Sequence, residues 1–134
     1  MGLFRSNRSI HKLIHERLAM EWRLLGNVYR NHLQVISGET KDTKNLELIS
    51  SKCVSINSIV QQGSAGFGKV VLNKDLINGL MIEILDLDSK LEDKPPLSVR
   101  TLRLVGITTS IMVGNYDGIF EDANGNHADW YRGL

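Results

Sequence analysis

The stretch Leu97–Gly118, "LSVRTLRLVGITTSIMVGNYDG", decides how the chain is read. Its valines, isoleucines and threonines hold χ1 stiffly and suit a pleated strand better than a helix. The expectation is therefore two strands, bent near Gly106 or Thr109, followed by a turn over Asn115–Gly118. Working back along the chain, Pro95-Pro96 breaks whatever precedes it. Residues 76–91, "LINGLMIEILDLDSKL", carry Leu76, Leu80, Ile84, Leu87 and Leu91 at helical steps. Ile82-Glu83-Ile84 and Asp86-Leu87-Asp88 nevertheless alternate as a strand would, and both readings stay open. Asn73 is placed to cap a helix there.

Residues 46–60 are equally divided. Leu46, Ile49, Cys53, Ile56 and Val60 form a helical stripe, but the intervening Ser, Val and Ile favour a strand. "VYRNHLQVIS" (28–37) has Tyr29, Leu33 and Val35 at even spacing and reads as a strand. "SGETKDTKN" (37–45) reads as a loop. Only "SIHKLIHERLAMEWRLL" (9–25) is plainly helical, with Ile10, Leu13, Ile14, Leu18, Trp22 and Leu25 on one face. Ser9 would cap it and Gly26-Asn27 would end it. The expected fold class is α+β: a single compact domain over 1–134, with an N-terminal amphipathic helix and a mainly β remainder. Residues 1–8 would be a flexible basic segment and 119–134 a loose tail. The alternative is an all-α bundle.

Composition narrows the function classes. The 134 residues are 42% hydrophobic and 23% charged, which is ordinary for one globular domain. A single cysteine, Cys53, excludes an internal disulfide framework and points to a reducing compartment. No apolar run reaches the length of a membrane span, and Arg5, Arg8 and Lys12 interrupt any signal-peptide core. Near-neutral charge and 6% aromatic content argue against nucleic-acid binding.

Several motifs fail on their chemistry. "GSAGFGKV" (63–70) fits the phosphate-cradling G-x-x-x-x-G-K pattern through Gly63, Gly68 and Lys69. The next position must offer a hydroxyl to Mg²⁺, and it is Val70. Asp86 or Asp88 would have to serve as the metal's acid. A degenerate nucleotide binder is thus the second alternative, behind a soluble binding or regulatory module. His11 and His15 lie four apart but lack a third metal ligand, and a pair of surface histidines is the plainer reading. "DANGN" (122–126) opens like a calcium loop, but His127 and Gly133 stand where Gly and Glu are required. Cys53 sits in an apolar-serine stretch and reads as a core residue. No cofactor or metal site is expected, and neither is an enzymatic activity.

The N-terminus is the positive signal. Met1-Gly2-x-x-x-Ser6 matches the N-myristoylation template, with Gly2 as the acylated residue. One acyl chain anchors weakly and needs a second signal. Arg5, Arg8 and Lys12 supply it, with no acid before Glu16, and Leu3 and Phe4 add apolar insertion. Residues 1–30 hold six basic side chains against two acidic ones, a net +4, leaving −3 for the rest.

These residues carry a family resemblance. "MGLFRS" followed by a basic helix resembles the myristoylated matrix proteins of enveloped viruses. "MEWRLLGNVYRNHLQVIS" is similar to the first strand of the rhabdovirus type. The resemblance covers residues 1–36. "KPPLS" is similar to the P-P-x-Y budding motif, but Ser98 replaces the tyrosine, so that function is not carried over. The resemblance implies a non-enzymatic, self-associating structural protein on the cytoplasmic face of a eukaryotic host membrane or in a virion. It would bridge an anionic lipid surface and another viral or cellular protein.

Overall fold

The computed structural model describes residues 7–36, 38, 40–63, 72–96 and 98–115. They form four helices: α1 (Asn7–Val35), α2 (Lys41–Gly63), α3 (Lys74–Ser89) and α4 (Val99–Met112). No strand occurs among the described residues, so the fold is all-α and the α+β expectation is overturned. The two proposed strands in Leu97–Gly118 are the single helix α4. Residues 46–60 and 76–89 are helical, and the strand expected over 28–37 is the last part of α1. The first-strand part of the matrix-protein resemblance falls with it. α1 already begins at Asn7, so residues 7 and 8 belong to its first turn, and Ser9 is not its cap. Residues 1–6 and 116–134, the remainder of the expected flexible segment and tail, lie outside the described residues.

Packing explains why β-branched residues are helical here. Each helix presents one apolar stripe at three- and four-residue steps. In α1 it is Ile14, Leu18, Trp22, Leu25 and Tyr29; in α2, Leu46, Ile49, Cys53, Ile56 and Val60; in α3, Ile77, Met81 and Ile84; in α4, Leu104, Ile107 and Ile111. Burying one such side chain contributes about 1.5–3 kcal/mol. The helix-propensity penalty of a Val, Ile or Thr is under about 1 kcal/mol. Packing therefore wins, and the helix backbone accepts from the hydroxyls as well. Thr108 Oγ1 donates to Leu104 O at 2.7 Å and Thr109 Oγ1 to Val105 O at 2.8 Å, one turn back.

The helices alternate in direction, each beside the next, and α4 returns to α1. Two buried bonds set the α1/α4 register. Trp22 Nε1 donates to Thr108 Oγ1 at 2.9 Å, and Tyr29 meets Thr101 with 2.6 Å between oxygens. Seven residues separate the partners on each helix, so both bonds fall on one face. α1 and α2 approach closely at Gly26, where an added Cβ would lie 3.1 Å from Cys53 Cβ and 3.3 Å from Ser50 O. Gly26 therefore does not end the helix, as its sequence context suggests; it lets a second helix come near.

The links between helices are capped locally. Thr40 Oγ1 accepts from Asp42 N and Thr43 Oγ1 accepts from Thr40 N, a reciprocal cap that starts α2. Asn73 Oδ1 accepts from Leu76 N at 3.2 Å, the α3 cap expected from sequence. Pro95-Pro96 stands between α3 and α4 as expected.

Candidate functional site

The helix register makes the two ends of the bundle different. At one end, the α1–α2 and α3–α4 connections are tied to each other. Asp42 accepts the amides of Glu92 and Asp93, both at 2.9 Å. Those two amides, Glu92 first, hold its carboxyl below the usual range against the opposing effect of burial. His32 Nε2 lies 3.0 Å from Asp93 O. Tyr29 donates to Asp88 Oδ1 at 2.8 Å, which leaves the Thr101 hydroxyl to donate to Tyr29. Burial foremost raises the Tyr29 pKa, and the Asp88 carboxylate adds to the rise.

At the other end lie the start of α1, the end of α2, the start of α3 and the end of α4. Trp22 opposite Thr108 places Met112 level with about Leu18. Asn57 bonded to Ala19 O places Gly63 level with about Leu13. Tyr29 beside Asp88 places Lys74 near His15. The first turns of α1, Asn7–Lys12, thus reach about 9 Å past the described ends of the other helices.

The sequence-predicted membrane residues relate to this end. Lys12 is exposed on the protruding turns, and Arg8 lies in the first turn of α1. Gly2, Leu3, Phe4 and Arg5 lie outside the described residues, as do Gly68 and Lys69 of the phosphate-loop pattern. Gly63 is the last residue of α2, at the same end. Asp86 and Asp88, the acids that pattern would need, lie at the far end of α3, about 20 Å from its start. They are also engaged there, Asp86 with Lys90 at 3.0 Å and Asp88 with Tyr29. His15 is buried in the core, which corrects the surface-pair reading. Cys53 is buried as expected, and burial pushes its thiol up to about 12, away from any nucleophilic role. Among the described residues, no three His, Cys, Asp or Glu side chains are grouped to hold a metal ion. Nor is any described helix long and apolar enough to cross a membrane.

Sequence reasoning missed a groove between α1 and α4. Its floor is Leu24, Leu25, Leu104 and Ile107, and its rim carries Arg17, Arg100 and Arg103 with one acid, Glu21. Arg17 Nε donates to Glu21 Oε1 at 3.2 Å, and Arg100 Nη2 pairs with Glu21 Oε2 at 3.7 Å. Arg103 pairs with no carboxylate among the described residues. Among the described residues lining the groove there are three guanidiniums and one carboxylate, so this part of the rim is positive. The sequence did hold one signal: α4 has Arg100 and Arg103 three apart and no acid. The groove's volume is about 60 Å³, far below the several hundred Å³ of a small-molecule pocket. It can take one or two side chains rather than a cofactor.

The chain matches no family model, no curated protein and no solved structure.

Proposed function

We propose that this is a non-enzymatic structural protein that sits against the cytoplasmic face of a membrane, attached through the protruding start of α1. Gly2 carries the acyl chain, Leu3 and Phe4 insert beside it, and Arg5, Arg8 and Lys12 meet anionic headgroups. The observation that supports this reading is the register of α1. The helix starts five positions after Gly2, and Asn7–Lys12 extends beyond the described ends of the neighbouring helices. A lipid on Gly2 and the basic side chains would then act from the same end of a rigid rod. In this reading the copies associate side by side, as in viral matrix layers. The outward face of α4, which exposes Val99, Leu102 and Val113, supports that part.

Vesicle co-sedimentation tests the attachment. Protein from a eukaryotic host should gain the mass of one acyl chain and pellet with phosphatidylserine vesicles. Gly2→Ala should remain in the supernatant. Neutralising Arg5, Arg8 and Lys12 should weaken binding about a hundredfold, at about 1 kcal/mol per charge. Equal pelleting of all three proteins would sink the proposal and leave a soluble binding module, a reading that the Arg-rimmed groove favours.

A further inference from the structure

The α1/α4 groove has an apolar floor and a positive rim, and its occupant should be the converse. Leu24 in its floor is 45% exposed although it lies beside the buried Leu25 and Leu104. Its small volume suits side chains delivered on a peptide, not a free ligand. Such a peptide must bring apolar groups for the floor and a carboxylate for Arg103.

One segment of this chain has that composition. Residues 116–134 contain Asp117, Glu121, Asp122 and Asp129 against one basic residue, Arg132, and carry Ile119 and Phe120 directly before Glu121-Asp122. We infer that the groove is the docking site of this acidic, aromatic segment of the same chain. It is the segment that follows α4.

Two structural facts support the match. The first is direction. Gly114, at φ +79°, ends α4 in a left-handed cap; its N–H donates to Ile111 O at 3.0 Å, and that of Asn115 to Ser110 O at 2.8 Å. The chain therefore leaves the helix axis at Asn115 rather than running on. The second is reach. Arg103 lies twelve helical residues before Asn115, about 18 Å back along α4. The six residues from Asn115 to Glu121 span up to about 20 Å when extended. Extended back along α4, the segment would bring Glu121 and Asp122 to the level of Arg103, and Ile119 and Phe120 to that of Ile107 and Leu104. Charge and apolar order along the segment follow those along the groove. Tethering makes the second partner available at high effective concentration, so modest contacts suffice.

Amide hydrogen exchange on the full chain tests this without truncation. Amides around Ile119–Asp122 should exchange at least about tenfold slower than in a free peptide of residues 116–134. Arg103→Glu should abolish that protection while the amides around Trp22 keep theirs. The reversal Glu121→Arg with Asp122→Arg should abolish it as well, and combining both changes should restore it. Protection should be the same over a hundredfold range of protein concentration. Unprotected amides in the native chain, protection indifferent to Arg103→Glu, or protection only at high concentration would each overturn the inference. The last result would assign the groove to a second copy.

Discussion

The two ends of the bundle are built from the same four helices and hold together by different means. At the tied end, polar groups far apart in sequence close on one another. Asp42 meets the amides of residues 92 and 93, and Tyr29 meets Asp88 and Thr101. At the other end the described helices stop at staggered levels and α1 runs on alone. The lesson is a division of labour within one bundle. Side-chain hydrogen bonds specify which connection sits beside which at one end. At the opposite end the described turns of α1 extend past the described ends of its neighbours.

The largest effect should come from the side chain between the ends. Trp22 is fully buried and bonded to Thr108. Trp22→Ala leaves a large cavity and should cost about 3–5 kcal/mol. Chemical denaturation monitored by circular dichroism checks this. One transition with a lower midpoint means that both ends unfold together; two transitions would mean that the ends are independent.

Asp42→Ala should break the contrast itself. It strips two partly buried amides of a charged acceptor, which costs about 1.5–3 kcal/mol. Faster exchange should appear at residues 90–98 and not at the start of α1. Acid should act in the same direction. The Asp42 carboxyl is held below its ordinary value, so its contribution is complete above about pH 4 and is lost as the pH falls below that. The mutant's midpoint should therefore be less sensitive to pH between about 4 and 2 than the native one. An identical pH dependence would remove Asp42 from its role as the tie.

Gly26→Ala should have the smallest effect. The new methyl lies 3.1–3.3 Å from Cys53 and a Ser50 carbonyl, an overpacking cost of about 1–3 kcal/mol. Helix propensity returns up to about 1 kcal/mol, so net destabilisation of about 1 kcal/mol is expected from thermal unfolding. A stabilised variant would show that α1 and α2 can move apart freely.

Much of the local punctuation was legible. The α1 stripe from Ile14 to Leu25, the Asn73 cap and the break at Pro95-Pro96 all appear where their residue types require. The candidate attachment site rests on the sequence alone, on a lipidation template and an uncompensated basic run among adjacent residues. The Arg-rimmed groove was not. Arg17 stands more than 80 residues from Arg100 and Arg103, and only the α1/α4 register brings them to one rim.

The sequence by itself determined the Asn73 cap of α3, the break at Pro95-Pro96, which face of α1 is apolar from Ile14 to Leu25, and where positive charge accumulates. Each of these follows from contacts within one or two turns. The tertiary structure alone decided whether residues 46–60 and 99–112 are helix or strand. For those β-branched segments the local preference is worth less than about 1 kcal/mol per residue, while each buried side chain contributes more. The deciding partners are remote: Thr108 is held by Trp22, Thr101 by Tyr29, and Cys53 by the space that Gly26 leaves.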